Sequence, residues 1–270
     1  MLSLQQEVER KNIINRNQRR KSCMRNYNLG FISDEDIFNH VKNTVSQYRR
    51  SINLQEFNKN IIDPIKLTFD SKIYGQTIRQ TIESECIRQI DKTNNNCIGY
   101  FHQNLFKHAG NGWEVPANGD KGGFDVINDE KHIYVEMKNK HNTMNAASSQ
   151  KTYIKMQGKI LEDDKALCML VEIIAKKSQD IKWSITVDKN PRSHKQIRRV
   201  SIDKFYEIVF DDKNAFFKLC KSLPDILDDV IAADESAKLR NTVYDELDKT
   251  DFYKSLYLLA FKTYEGFDKF

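Results

Sequence analysis

Two carboxylates and a lysine are the residues of this sequence best suited to chemistry on a phosphate. Asp125 follows a glycine-rich stretch, and Glu136 precedes Lys138 by two positions in an apolar segment. Carboxylate oxygens are preferred ligands of Mg²⁺, and bound Mg²⁺ polarises phosphoryl oxygens and lowers the pKa of bound water. A lysine can orient that water and stabilise charge on the phosphate. These residues predict metal-assisted phosphodiester hydrolysis, with Asp125 and Glu136 as metal ligands and Lys138 assisting the water.

The segment His132–Lys138 has the alternating pattern of a β-strand, in which successive side chains point to opposite faces of a sheet. The apolar side chains of this strand that are predicted to face the core are Ile133, Val135 and Met137. Tyr134, Glu136 and Lys138 then point the other way. The strand pattern therefore places the glutamate and the lysine on one face.

A hairpin with the turn Asn128–Lys131 would bring the aspartate to the same face. Ile127 is then paired with His132, and Asp125 lies diagonally from Glu136, with their Cα atoms roughly 7–8 Å apart. A two-residue turn would keep the same parity. The side chains of the first strand that are predicted to face the core are Phe124 and Val126.

An acid-x-lysine pattern alone has little specificity, because it also occurs at Glu9–Lys11, Asp163–Lys165 and Asp211–Lys213. Glu136–Lys138 differs in lying on an apolar alternating strand with an acid on the strand before it. The alternative interpretation is an exposed hairpin that carries ordinary surface charges.

The flanking segments predict elements that could hold this hairpin in a sheet. One helix is predicted to begin after Ser33 as N-cap, and a second helical stretch is bounded or kinked at Pro64. A third helix is predicted over 76–92. After a polar break at Thr93–Asn96, helix is predicted to resume and to stop at Gly110–Gly112. The later segments are predicted as helix (147–163), buried strand (Ala166–Ala175), strands or strand and helix (Trp183–Val187, Arg199–Val209), and helices (Ala215–Leu227, Leu239–Phe261). This order predicts a mixed α/β fold with a central sheet flanked by helices.

The composition is that of a globular protein with a mild excess of positive charge. Of the 270 residues, 39% are hydrophobic and 30% are charged, and the net charge is +5. We expect a cytoplasmic protein, because no apolar run is long enough for a membrane span and the N-terminus lacks a signal-peptide pattern. The five cysteines include no C-x-x-C pair, which argues against a disulfide framework and a zinc ribbon.

Basic residues cluster, without acids, in Arg10–Arg25 and Lys189–Arg199. Such clusters suit a polyanion partner, since phosphates attract Lys and Arg and binding releases counterions. For the first cluster, a disordered tail or a solvated face fits equally well. The residues of the second cluster that we predict to enter the major groove or contact the DNA backbone are Arg192, Lys195, Arg198 and Arg199. Arginine commonly reads guanine, which would suit a G/C-rich site; a solvated basic loop is the alternative.

The chain that leaves the strand after Lys138 is rich in amide and basic donors. It should lie near the scissile phosphate, where such donors could contact bases or phosphates. A solvated loop with a helix cap is the alternative. The residues of this stretch that we predict to contact DNA are Asn139, Lys140, His141, Asn142, Asn145, Ser149 and Lys151.

The acid and acid-x-lysine segments resemble the core of the PD-(D/E)XK nuclease superfamily, although Phe124 stands where that superfamily usually has proline. Over roughly residues 30–235 the chain is similar to type II restriction endonucleases that recognise GGNCC or GGWCC. The stretches that carry this likeness are Asn60–Pro64, Asn95–Gln103, Val135–Thr143 and Ser201–Tyr206.

This resemblance implies a homodimer that uses Mg²⁺, a palindromic site in duplex DNA, and a partner methyltransferase. The sequence as a whole predicts one endonuclease domain over 28–270 with helical N- and C-terminal elaborations, preceded by a basic N-terminal arm or helix over 1–27 that lies outside the resemblance. The superfamily often has a further acid on the helix before the hairpin. Gln103 stands four residues after Gly99 and could orient a metal-bound water, and Glu85 is another candidate; each could instead be an ordinary helix-surface residue.

Two other functions fit the same residues. A repair or junction nuclease on the same core would cut by DNA structure and give no discrete fragments from a defined plasmid. A sequence-specific DNA-binding protein without cleavage would bind in EDTA and never cut. The intact acid-acid-lysine set argues against the second alternative.

Overall fold

A computed structural model of the chain describes residues 25–117, 119–141, 143–187, 189–233, 240–247 and 252–262. The predicted arm or helix at 1–27 lies outside this part of the chain except for residues 25–27. The α-helices are α1 (Asp34–Gln47), α2 (Leu54–Lys59), α3 (Pro64–Ile73), α4 (Ile78–Leu105), α5 (Ala146–Glu162), α6 (Ile202–Phe210), α7 (Ala215–Ala232), α8 (Val243–Glu246) and α9 (Phe252–Phe261). The strands are β1 (Ser51–Ile52), β2 (Trp113–Glu114), β3 (Val126–Asn128), β4 (Ile133–Lys140), β5 (Leu167–Ile174), β6 (Asp180–Val187), β7 (Asn190–Ser201) and β8 (Arg240–Asn241).

The chain divides into two compact units. Unit 1 contains the described residues of Met1–Ser46 and Ile98–Glu235, and unit 2 contains those of Gln47–Cys97 and Ser236–Phe270. Unit 2 has its own apolar core, and helix α4 begins in unit 2 and ends in unit 1. The single domain predicted over 28–270 stays a prediction.

Unit 1 is built on a six-stranded mixed sheet with the order β2-β3-β4-β5-β7-β6. Strands β2, β3 and β4 are antiparallel, β4, β5 and β7 are parallel, and β6 returns antiparallel to β7. Helices pack against this sheet, and their apolar side chains complete the cores on its faces. The predicted class, a mixed α/β fold with a central sheet flanked by helices, is confirmed.

Each face of the sheet packs into its own apolar core, as the alternation in β4 requires. Ile133, Val135 and Met137 belong to the larger core, with residues of α1, α6 and α7. Tyr134 belongs to a second core, with Tyr153 of α5. The face that carries Glu136 is therefore covered in part by helix α5.

The predicted helix start at Ser33 is confirmed, because its hydroxyl accepts a hydrogen bond from the Asp36 N–H at 3.0 Å. Pro64 is confirmed as a boundary: it lies in the first turn of α3, which Asp63 caps through the Lys66 N–H at 3.0 Å.

The predicted polar break at Thr93–Asn96 is wrong, because helix α4 continues through it. The Thr93 hydroxyl donates to the Gln89 carbonyl at 3.1 Å, and the Asn94 side chain accepts from the Arg49 N–H at 2.9 Å. These polar side chains therefore find partners without ending the helix.

The single helix predicted over Leu239–Phe261 is also wrong. Strand β8 pairs in parallel with β1, and helices α8 and α9 follow as separate elements. The Asn241 side chain accepts from the Val243 N–H at 3.0 Å, which is a local turn contact that competes with helix. In the described part of the chain, no helix is long and apolar enough to cross a membrane.

Candidate active site

Strands β3 and β4 form the predicted hairpin, but in a different register. Ile127 is paired with Tyr134 and Asn128 with Ile133, whereas the sequence predicted Ile127 opposite His132. The turn begins one residue later because Asn128 is still in the strand, and the turn ends at His132, which has a φ of 54°. Strand β4 is therefore shifted by two residues relative to the predicted pairing. Because side chains alternate with a period of two, Asp125 and Glu136 still point to the same face of the sheet.

Asp125 is fixed against the backbone of β4 by two hydrogen bonds. Its N–H donates to the Val135 carbonyl at 2.8 Å, and its Oδ2 accepts from the Met137 N–H at 2.7 Å. Met137 lies between Glu136 and Lys138, so the aspartate carboxylate is tied to the backbone between these two residues. The structure brings together the three residues predicted to be catalytic.

Both carboxylate oxygens of Glu136 are paired with lysines. Oε1 lies 2.7 Å from the Lys138 Nζ, and Oε2 lies 2.5 Å from the Nζ of Lys155, a residue of helix α5. The same Lys155 ammonium donates to the Gly123 carbonyl at 2.8 Å. A fourth charged side chain therefore belongs to this cluster.

Sequence reasoning missed Lys155, although a signal for it was present. The buried residues of α5 are Thr152, Tyr153 and Met156, which define the face turned to the sheet. Residue 155 lies at the edge of that face, three positions after Thr152. A lysine there is unusual enough to suggest a carboxylate partner on the sheet.

The two carboxyls respond in opposite ways to their surroundings. Burial raises the pKa of Asp125 above its ordinary value; the Met137 N–H opposes this rise, and the neighbouring Glu136 carboxylate adds to it. Burial alone would also raise the pKa of Glu136, but hydrogen bonds from Lys138 and Lys155 outweigh it and hold that pKa below its usual range. Glu136 is therefore the carboxyl more firmly held ionised.

Phe124 does not face the core that contains Val126, and this part of the prediction is wrong. Its ring packs in the second core, 5.6 Å from Tyr134, with the Lys155 ammonium 4.3 Å from its centroid. Strand β3 begins only at Val126, and Gly123 before it has a φ of 71°. The strand alternation therefore does not extend back to Phe124.

Gln103, near the end of α4, lies beside Asp125. Its Nε2 donates to the Asp125 carbonyl at 3.1 Å and is 3.5 Å from Asp125 Oδ1. Glu85 lies in unit 2, where its carboxylate accepts from Arg88 at 2.6 Å and from Gln89 at 3.1 Å. Of the two candidates, the structure joins Gln103 to the site.

The donor set of the cluster fits a hard divalent cation. Within the described residues, Asp125 Oδ1 receives only the 3.5 Å contact from Gln103, which leaves it available as a ligand. Glu136 could supply a second oxygen by exchanging a lysine for the ion. No group of three or more His, Cys, Asp or Glu side chains placed to hold a metal occurs in the described part of the chain. Water or phosphate oxygens would have to complete the coordination of an ion held here.

The residues after Lys138 differ in their surroundings. Lys140 and Lys151 are exposed, and Asn139 is half-buried. The Asn145 side chain caps helix α5 by accepting from the Ser148 N–H at 2.8 Å, as the helix-cap alternative held. Ser149 is half-buried in the first turn of that helix, and Asn142 lies outside the described residues.

His141 and Arg199 meet in a charged cluster inside unit 1. Glu172, almost fully buried on β5, accepts from an Arg199 Nη2 and lies 3.0 Å from the His141 Nδ1. Arg198 is paired with Asp180 at 2.8 Å. These predicted DNA contacts already have partners within the chain.

The segment Lys189–Arg199 is not the basic loop that the alternative held. Apart from Lys189, which lies in the turn with a φ of 65°, it belongs to β7, a long strand paired with both β5 and β6. Arg192 and Lys195 are exposed on this strand. The antiparallel pairing of β6 with β7 accounts for a strand there despite the charge, because cross-strand contacts outweigh local polarity.

An aspartate before β3, a glutamate and a lysine on β4, and a mixed sheet with parallel β4, β5 and β7 are consistent with a nuclease core of the PD-(D/E)XK kind. Residues 29–232 match the family model described as Eco47II restriction endonuclease, and the chain belongs to this family.

Two curated relatives carry names of the same type. The chain is 33% identical to the type II restriction enzyme Sau96I of Staphylococcus aureus, over 80% of this chain and 85% of the relative. It is 28% identical to the type II restriction enzyme Eco47II of Escherichia coli, over 84% and 96%. No solved structure matches the chain. The protein is a site-specific deoxyribonuclease, which confirms the predicted enzyme class.

Proposed function

We propose that this chain cleaves both strands of duplex DNA at a short palindromic G/C-rich site of the GGNCC kind, as a homodimer with Mg²⁺. The observation that carries the catalytic part is the 2.7 Å hydrogen bond from the Met137 N–H to Asp125 Oδ2. It fixes the aspartate carboxylate beside Glu136 and Lys138, where an ion could be shared. A methyltransferase that modifies the same site would protect the host DNA.

Asp125 and Glu136 would hold the ion, as the available Oδ1 of Asp125 and the ionised state of Glu136 support. When bound, Mg²⁺ supplies charge neutralisation at the phosphate and a more acidic water. Lys138 is close enough to Glu136 to present its ammonium at the same place, where it orients the attacking water and stabilises charge on the phosphate. Gln103 keeps Asp125 in position through its backbone carbonyl and could orient a bound water.

Exposed basic residues on three elements would contact the DNA. Lys140 and Lys151 lie on β4 and α5, which also carry Glu136 and Lys155, and Arg192 and Lys195 lie on β7. Phosphate contacts from such lysines set position and affinity, whereas arginine can read guanine. The G/C-rich site rests on the resemblance of the four sequence stretches to enzymes that recognise GGNCC or GGWCC.

Within its described residues each chain has one acid-acid-lysine set, and a palindrome presents two equivalent scissile bonds. Two chains related by a twofold axis would place one set at each strand. Sedimentation of the protein on an oligonucleotide duplex should therefore give a complex with two chains of 31.7 kDa each. A complex with one chain that still cuts both strands together would contradict the dimer.

Digestion of phage DNA with the purified protein and Mg²⁺, followed by sequencing of fragment ends, tests the proposed function. We expect discrete fragments whose ends share one palindromic G/C-rich sequence, and no cutting in EDTA. Ends that follow junctions or lesions rather than sequence would indicate the structure-specific nuclease. Specific binding without cutting in any divalent ion would indicate a DNA-binding protein. DNA methylated at the mapped site should resist digestion.

A further inference from the structure

Lys155 has contacts that the proposed mechanism does not use. Its ammonium lies 2.5 Å from Glu136 Oε2 and 2.8 Å from the Gly123 carbonyl, and 4.3 Å from the Phe124 ring centroid. Three chain segments therefore meet at one positive charge: helix α5, strand β4 and the glycine turn before Asp125, which is Lys121–Gly123. The lysine side chain is about a quarter exposed, at 27%.

The next lysine on the same helix face shows what an ordinary contact looks like. Lys159 lies one turn further along α5, with a side chain of similar exposure, 25%. Its ammonium pairs with Glu162 of its own helix at 3.5 Å and lies 4.5 Å from the Tyr134 ring centroid. Lys155 differs because its two oxygen acceptors lie outside its own helix, on strand β4 and on the glycine turn before Asp125.

We propose that Lys155 is a positioning residue that holds Glu136 and the glycine turn in place before the ion arrives, and that it competes with the ion for Glu136. This inference rests on the proposed role of Glu136 as a metal ligand. The Lys155 ammonium occupies one carboxylate oxygen, and the Lys138 ammonium occupies the other. A divalent cation that binds Glu136 must displace one of them or share an oxygen with it.

Charge decides the direction of the effect. Asp125 and Glu136 carry two negative charges, and Lys138 and Lys155 carry two positive charges, so the cluster is neutral as it stands. Removing the Lys155 charge leaves a net negative charge and removes a competitor, which favours a divalent cation. It also frees Glu136 and the glycine turn to move, which disfavours catalysis because the productive geometry is no longer held.

The two consequences have opposite signs, which separates this role from a merely structural one. Loss of Lys155 should tighten binding of the ion and slow cleavage by the loaded enzyme. A residue that only supports the fold would weaken both on substitution. The variant Lys155→Met suits the test because it keeps an unbranched stem against Phe124 and removes the ammonium group, with its charge and its two hydrogen bonds.

Isothermal titration of the full-length protein with Mg²⁺ or Ca²⁺, without DNA, measures the first consequence. We expect Lys155→Met to bind the ion about tenfold more tightly than the wild type, as loss of one nearby positive charge implies. Lys155→Arg, which keeps the charge, should bind as the wild type does. The matched control Lys159→Met should leave the affinity unchanged.

Single-turnover cleavage at saturating Mg²⁺ measures the second consequence, where we expect Lys155→Met to be at least about tenfold slower than Lys159→Met. Equal ion affinity and equal rates for these two variants would overturn the inference, and so would weaker ion binding by Lys155→Met. If the methionine variant does not fold, Lys155→Gln is the second neutral variant. Failure of the wild type itself to bind an ion through Glu136 would instead overturn the proposed function.

Discussion

Gln103 contacts the candidate site through one residue, Asp125. It donates to the Asp125 carbonyl at 3.1 Å and approaches the Asp125 carboxylate at 3.5 Å. The shorter contact is with the Asp125 backbone, so these distances favour a role in positioning Asp125 over a role as a metal ligand. Glu85, in contrast, is already held by Arg88 and Gln89, so its carboxylate has a partner that accounts for its burial.

We expect Gln103→Ala to reduce single-turnover cleavage by about tenfold, because the Asp125 carbonyl would no longer accept its 3.1 Å hydrogen bond from a fixed donor. The unfolding free energy should fall by only about 1 kcal/mol. The exposed Gln55→Ala serves as control and should change neither quantity. A cleavage rate equal to that of the wild type would show that Gln103 contributes nothing to the site.

Asn145 was predicted to contact DNA, and the structure gives it a role as helix cap. We expect Asn145→Ala to lower the unfolding free energy by about 1 kcal/mol, because the Ser148 N–H loses its acceptor. Asn214, at the start of α7, makes no capping hydrogen bond through its side chain among the described residues, so Asn214→Ala should cost less. Chemical denaturation measures both changes.

Asn145→Asp separates the cap from a DNA contact. Aspartate caps a helix as well as asparagine does, so stability should be retained. If the side chain also lies against phosphate, the added negative charge should weaken DNA binding, whereas a cap alone would leave the affinity unchanged.

At the scale of elements, the strand and helix patterns predicted most of unit 1. Alternation in β4 placed Glu136 and Lys138 on one face, and that inference survived a register two residues away from the predicted one because side chains alternate with period two. The buried β5 and the helix α5 followed from apolar patterns in the same way.

The failures have a common cause, which is that partners outside the local segment decided the conformation. The polar residues Thr93 and Asn94 remain helical because neighbouring groups satisfy them. The charged strand β7 forms because β5 and β6 pair with it on both sides. Lys155 escaped prediction because its partner Glu136 lies on a strand 19 positions away in the chain, and helical spacing alone does not show which carboxylate a lysine at the edge of the buried face would meet.

Helix α4 carries a buried histidine whose titration should make the protein sensitive to acid. Burial lowers the pKa of His102 to about 4, and burial likewise lowers the pKa of His40 to about 4. An unfolded histidine has a pKa near 6.5, so the unfolded state binds more protons between these values. The contribution of these two histidines to the unfolding free energy is therefore fully present above about pH 6.5. It is lost as the pH falls towards 4.

We expect the unfolding free energy to fall by about 1.4 kcal/mol per pH unit for each of these histidines over that window. His102→Gln should reduce the slope of unfolding free energy against pH by about 1.4 kcal/mol per pH unit, whether or not it changes the stability at neutral pH. Gln55→Ala, at an exposed position that carries no titratable group, is the control and should leave the slope as it is. Denaturation curves at several pH values provide the measurement, and an unchanged slope for His102→Gln would contradict the assignment.

At the scale of the whole molecule, part of the positive charge lies exposed on strand β7. Arg198 and Arg199 are committed to acids within the chain, which leaves Arg192 and Lys195 as the exposed cations of β7. The basic N-terminal cluster lies outside the described residues except for Arg25, which pairs with Asp225 at 2.5 Å. Sequence could locate these clusters but could not tell paired from exposed charges, because pairing depends on the sheet.

We expect the double variant Arg192→Ala, Lys195→Ala to bind its DNA more weakly and with a shallower salt dependence. The slope should fall by about one unit for each phosphate that the variant no longer neutralises. Removal of an exposed lysine elsewhere, Lys177→Ala, should leave the slope unchanged. Binding isotherms at several salt concentrations give the slopes. Equal slopes for the double variant and the wild type would remove β7 from the DNA interface.

The most direct test of the shared catalytic centre is single-turnover cleavage of a mapped site by Glu136→Ala and Lys138→Ala, with binding measured on the same duplex. We predict that each variant cuts at least about 10²–10⁴-fold more slowly while keeping much of its specific binding. Glu162→Ala, at an exposed position on α5, should cut as the wild type does. Full cleavage by either Glu136→Ala or Lys138→Ala would contradict the account.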